Sequence, residues 1–294
     1  MNKWSRIKWS LHPLFVIILL FSALTGYFIE LMTLFAIVLV HELGHLFMAH
    51  EVGWKVKAVR LLPFGGVVEV EEAGGTSAKD ELLVAIAGPL QNVWMMLLAK
   101  GLAELGWWSY EWSTYFIEAN LWIALFNLLP VLPLDGGKIV QALLSYRFSY
   151  YNTLLWSIRL SVCFSAILVI YSVAPLAFSE TRGIKLNELM IGTFLLFSNL
   201  AALRHIPFLF YRFILHRTAR LKQLEKKRAK AYPILVSSTL KLYEALKSYH
   251  REKLNMLCVV DRIDQPCHII SEETSLQYCI EGFDVHRAVG ELLR

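Results

Sequence analysis

Six stretches of the chain are apolar for about the length of a bilayer: about Leu11–Phe28, Leu31–Ala49, Leu82–Ala103, Tyr115–Leu132, Leu154–Phe178 and Leu189–Phe210. A spanning helix needs roughly 17 to 25 such residues. Backbone groups inside hydrocarbon must find partners within the protein, so runs like these specify helices. The Gly, Pro and Asn breaks within them are tolerable only where protein or a cavity satisfies the freed groups. Composition agrees: 56% of the residues are hydrophobic and only 18% charged, where a soluble domain carries about a quarter. The expected fold is an all-α polytopic membrane bundle of about six transmembrane helices.

Charge orients the bundle, because loops rich in Lys and Arg stay in the cytosol. Lys3, Arg6 and Lys8 precede the first run, which places the N-terminus inside. No cleavage site follows that run, so it is expected to be a retained span rather than a signal peptide. Lys55, Lys57 and Arg60 follow the second run and agree; Lys138 and Arg147 follow the fourth and agree. Arg182 and Lys185 oppose the scheme mildly, but the basic stretch 212–230 restores it and puts the C-terminus inside. That stretch also suits an anionic lipid surface.

From Ala231 the composition becomes that of a soluble domain. ILVSS, MLCVVD and CHIIS have the pattern of strands; LKLYEALKSY and SLQYCIEGF have that of helices, in the order β-α-β-β-α. The expected organisation is therefore a membrane domain over 1–211, a basic linker over 212–230 and a cytosolic α/β domain over 231–294. Four cysteines, Cys163, Cys258, Cys267 and Cys279, form no CxxC pair. Reduced thiols facing the cytosol fit better than a disulfide framework. Nothing in the sequence points to nucleic acid.

The second run contains VLVHELGHLFMAH. Ionisable groups inside a bilayer are costly unless paired or metal-bound. His41 and His45 are four residues apart, so on a helix they share one face and can chelate one zinc ion. Glu42 between them can act as the general base on a zinc-bound water. Zinc needs a third protein ligand and an open fourth position. NLLPVLPLDGG, at the cytosolic end of the fourth run, offers Asp135, and Gly136 and Gly137 let the backbone turn it towards the metal. Glu69, Glu71 and Glu72 are competing carboxylates, and Asp135 could instead cap the helix that follows it.

HELGH in an apolar span, AGPLQN (Ala87 to Asn92) and NLLPVLPLDGG, in that order, together resemble the site-2 protease family of intramembrane zinc metalloproteases. The resemblance covers most of the first 210 residues. It implies one zinc ion per chain held by His41, His45 and Asp135, with Glu42 as catalytic acid and base. LLPFGGVVEVEE and the small C-terminal domain are most similar to the sporulation branch of the family. This implies cleavage of a sigma-factor precursor, restraint by membrane inhibitor proteins, and a place in the mother-cell membrane around the forespore.

Other features are more open. Asn127 could donate a hydrogen bond to the developing oxyanion or satisfy backbone freed by Pro130. Gln91 and Asn92 suit bridges between helices, and Gly88–Pro89 suits close packing or a kink. LLPFGGVVEVEE alternates after Gly-Gly as a short membrane-associated β-hairpin or re-entrant loop would, and its edge could pair with an extended substrate. The C-terminal order and STLKLYEAL resemble a single CBS module, for which ATP or AMP is the candidate ligand and pairing with a second copy the candidate assembly. A zinc transporter or metal-sensing membrane protein would also place His and acidic residues in spans. It needs no glutamate between the ligands and no strand edge for a peptide.

Overall fold

The structure is a computed structural model describing residues 8–11, 21–62, 65–71, 76–178, 184–226, 230–260, 268–280 and 287–293. Its contacts divide the chain into two units: residues 1–72, 79–130 and 134–139 form one, and residues 73–78, 131–133 and 140–294 the other. The division does not follow the boundaries expected at residues 212 and 231.

In the first unit, α1 (Phe28–Glu51) carries the HELGH motif. Gly53 ends it, with φ +81, a left-handed conformation that suits glycine at a helix C-terminus. The chain then forms β2 (Lys55–Leu62) and β3 (Gly65–Glu71), an antiparallel pair, with β1 (Lys8–Leu11) parallel to β2, in the order β1-β2-β3. The register shifts between Val56 and Ala58. The expected hairpin is thus present, with residues 63–64 outside the described set. β3 lies beside α1 and has no strand on its other edge among the described residues.

α2 (Ala78–Glu104) keeps Pro89 within the helix. Gly44 of α1 lets the two helices close up, since a Cβ there would lie 2.7 Å from Ala87 O. α3 (Tyr110–Asn127) starts at Ser109, whose hydroxyl accepts from Trp112 N–H at 3.3 Å. This is the side-chain cap expected of serine. α4 (Asp135–Ser145) begins at the acidic residue of the LDGG turn. A Cβ on Gly136 would collide with the carbonyls of Leu128 and Leu129, so this turn closes on glycine.

The second unit holds α5 (Tyr150–Val173), capped by Ser149, and α6 (Leu186–Lys226), which pack along each other. α6 is continuous for 41 residues. The basic stretch read as a linker is, up to Lys226, the last part of this helix. Phe210 and Ile214 of α6 enter the same core as Ile234, Leu246 and Leu257. That core belongs to a second sheet, β4 (Ala231–Ser237), β5 (Leu254–Val260) and β6 (His268–Ser271), with β4 parallel and β6 antiparallel to β5. With α7 (Leu242–Leu246) and α8 (Glu272–Ile280) the order is the expected β-α-β-β-α. Arg217 of α6 is 1% exposed. It pairs with Glu272 and donates to the carbonyls of Arg251 and Lys253, so its buried charge is compensated.

Among the described residues, four helices are long and apolar enough to cross a membrane: α1, α2, α5 and the Leu186–Thr218 part of α6. Their outer faces leave large apolar side chains uncovered, as at Phe194 and Phe197, 66% and 68% exposed. Contiguous apolar surface of this kind fits lipid rather than water. Two of the six expected spans are not among the four. Half of Leu11–Phe28 falls in residues 12–20, outside the described residues, and Leu11 itself ends β1. Tyr115–Leu132 corresponds to α3, which carries Glu111 and Glu118.

Candidate metal centre

The fold brings His41, His45 and Asp135 together from two helices 84 or more residues apart in sequence. All three are buried, at 2%, 7% and 4% exposure. His41 Nε2 lies 3.1 Å from His45 Nε2 and 3.1 Å from Asp135 Oδ2, and His45 Nε2 lies 3.0 Å from the same oxygen.

The outer nitrogens explain why this trio suits a cation. His45 Nδ1 faces the Val84 carbonyl at 2.7 Å, and His41 Nδ1 faces Asn92 Oδ1 at 2.6 Å. Both partners accept, so both Nδ1 atoms carry the hydrogen, and a neutral imidazole then has its lone pair on Nε2. Two lone pairs and a carboxylate oxygen converge on one buried point. Without a positive charge between them such an arrangement is repulsive; with one it is a ligand set. Zinc bound at about 2.0–2.1 Å in a tetrahedron sets its ligands roughly 3.3 Å apart, close to the spacings found. Lys138 Nζ takes the second Asp135 oxygen, Oδ1, at 3.1 Å.

Gly88 makes room for the trio. A Cβ at that position would lie 2.6 Å from His41 Nε2 and would strike the His45 ring. The AGPLQN stretch therefore serves the site twice: glycine gives close approach and Asn92 gives a hydrogen bond. The first was legible as packing and the second as a bridge between helices; their common target was not. Asn120 was missed altogether. It lies on α3, accepts from Asn92 Nδ2 at 3.1 Å, and is fully buried like Asn92. A polar residue in the middle of an apolar run was the available signal.

Glu42 is half-buried on α1 and near enough to His45, His41, Lys138 and Asp135 to feel their charges. Asn127 ends α3, and its amide donates to Ile123 O of its own helix at 3.0 Å. Of the competing carboxylates, Glu69 and Glu71 lie on β3, with side chains outside the described set; His41, His45 and Asp135 are the group found among the described residues that could hold a metal ion. Glu72 lies outside the described residues.

The family model of Peptidase family M50 matches residues 29–103 and 95–168, the two ranges that contain all of this geometry. Stage IV sporulation protein FB of Bacillus subtilis is 36% identical over 256 residues, covering 85% of each chain. The chain belongs to peptidase family M50. A zinc metalloprotease of Methanocaldococcus jannaschii is 34% identical to this M50 peptidase over 120 residues, 40% of this chain and 34% of the relative. The site-2 protease of the same archaeon superposes with a TM-score of 0.48 at 23% identity, over 65% of this chain and 88% of that one. This M50 peptidase is a zinc metalloendopeptidase and a membrane protein.

Proposed function

We propose that the chain hydrolyses a peptide bond of a protein substrate at or near the cytosolic face of the membrane, and that the substrate is the precursor of a sporulation sigma factor. The observation that carries this reading is the 36% identity to Stage IV sporulation protein FB over 85% of both chains. The same likeness supports a place in the mother-cell membrane and control by membrane inhibitor proteins.

In this reading His41, His45 and Asp135 hold one zinc ion. When bound, the ion supplies a polarised water whose pKa is lowered towards about 7. Glu42 accepts a proton from the attacking water at its carboxylate and delivers it to the departing amine as the C–N bond breaks. Asn127 donates from its amide to the carbonyl oxygen as charge develops there, which requires the amide to leave Ile123 O. The edge of β3 that no described strand covers receives the substrate as an added strand, which keeps the scissile bond extended.

Six spans complete the membrane domain, with both termini cytosolic. The C-terminal domain, from Ala231, acts as a CBS-like regulatory module that binds an adenine nucleotide and pairs with a second copy. Control through this domain is supported at its Arg251–Glu252 corner. Glu252 Oε1 accepts from the Ala78 N–H at the start of α2, at 2.7 Å. Arg251 donates to Thr76 O and Oγ1, each at 2.7 Å. α2 is the helix that presents Val84 and Asn92 to the histidines.

The test is co-expression with a sigma-factor precursor, scoring removal of its N-terminal segment. Processing by the wild type and none by Glu42→Gln supports the assignment. Processing by neither, with another membrane protein cleaved, moves the substrate assignment. ATP and AMP titrated calorimetrically into the purified full-length protein test the nucleotide; no heat from either removes it.

A further inference from the structure

We propose that Asn120, in the middle of α3, is a positioning residue for the metal centre: acting through Asn92, it fixes which nitrogen of His41 is free to hold the ion. The proposal rests on the reading of His41 as a metal ligand.

Three hydrogen bonds in series start from a backbone carbonyl. Asn120 Nδ2 donates to Phe116 O at 2.9 Å. A carbonyl can only accept, so the nitrogen of the Asn120 amide must face it, and Oδ1 is left for Asn92. Asn92 must then present its own nitrogen, which donates at 3.1 Å. Asn92 Oδ1 is thereby turned to His41 Nδ1, at 2.6 Å, and demands a hydrogen there. Neutral imidazole has one N–H, so Nε2 keeps its lone pair and faces His45 and Asp135. The direction of the first bond dictates the tautomer at the end of the chain.

Asparagine needs this help because its amide is nearly symmetric in shape. Turned over, Asn92 would present Nδ2 to His41 Nδ1 and impose the opposite tautomer, with hydrogen on Nε2 aimed at the metal position. Both asparagines are 0% exposed, so bulk water offers no alternative partner. His45 needs no such relay, because the Val84 carbonyl at 2.7 Å already fixes its tautomer. The rival role for the pair is interhelical polar adhesion, common among membrane helices, which would be indifferent to the sense of the bonds.

The two roles separate in a double-mutant cycle read as zinc affinity. Full-length protein in detergent is stripped of metal and titrated with zinc against a chromophoric chelator. Loss of an outer hydrogen-bond partner weakens metal binding about 10- to 100-fold, so Asn120→Leu should weaken zinc by about tenfold or more. Asn92→Asp should bind at least as tightly as wild type, because a carboxylate can only accept. In the Asn92→Asp background, Asn120→Leu should cost nothing further. An adhesive role predicts that Asn92→Asp, which cannot donate to Asn120 Oδ1, already loses zinc affinity as Asn120→Leu does, and that result overturns the proposal. Should Asn120→Leu fail to fold, Asn120→Asp takes its place. It keeps the acceptor for Asn92 and should stay within a few-fold of wild type; a loss of tenfold or more overturns the relay. His41→Ala distinguishes the two readings: full zinc affinity in that variant means the ligand assignment has failed, whereas zinc that depends on His41 but not on Asn120 defeats the relay alone.

Discussion

A single methyl group at position 88 tests how tightly the imidazoles are held. Gly88→Ala would place its Cβ 2.6 Å from His41 Nε2, where ordinary contact starts near 3.4 Å. Helix or ring must therefore give way by at least about 0.8 Å, since the His45 ring lies closer still, while a metal site tolerates only about ±0.2 Å in its ligand distances. Overpacking in a well-filled interior costs about 1–3 kcal/mol. If the metal site absorbs that strain, zinc affinity falls by about 5- to 150-fold. Gly101→Ala on the same helix is the control, since nothing lies within 4 Å of a Cβ there. It should leave zinc unchanged and stabilise the helix by about 0.5–1 kcal/mol. The assay is chelator competition on detergent-purified protein, with thermal unfolding measured in parallel. Wild-type zinc affinity in Gly88→Ala would refute the close approach of α2 to the histidines.

Two further variants follow from the same geometry. Asp135→Ala removes the anionic donor and leaves two nitrogens, so metal analysis should find zinc lost under chelator concentrations that wild type withstands; Asp135→Asn, which keeps the shape, should retain more. In the second unit, Arg217→Met should leave Glu272 buried without its cation, a change that costs about 3–5 kcal/mol. It should lower the unfolding temperature measured by calorimetry with little change in zinc affinity.

How much of this was readable from sequence depends on the range of each interaction. HELGH is local: four residues of helix put both histidines on one face, and α1 does so. Asp135 followed from topology and a Gly-Gly turn, because two runs entering the membrane in the same direction end at similar depth. The β-α-β-β-α order at the C-terminus followed from periodicity alone. Partnerships across the fold were not readable in that way. Asn120 and the Val84 carbonyl act on the histidines through packing that no local pattern encodes. β1 was hidden at the edge of an apolar run, since four residues paired parallel to a distant strand leave no periodic trace. The charge of residues 212–226 suggested a tether, yet Phe213, Ile214, Leu221 and Leu224 recur at helical spacing among the cations. The burial of Ile214, Leu221 and Leu224 shows that periodicity was the better guide there.

Glu42 offers the most direct measurement of all. Glu42→Gln keeps the size of the side chain and removes its ability to take a proton. Full-length protein carrying this substitution, purified in detergent, should retain one zinc per chain by metal analysis. Its rate of peptide-bond cleavage should fall at least about a hundredfold, the low end for general acid–base catalysis. Wild-type cleavage by the zinc-loaded variant would contradict the account.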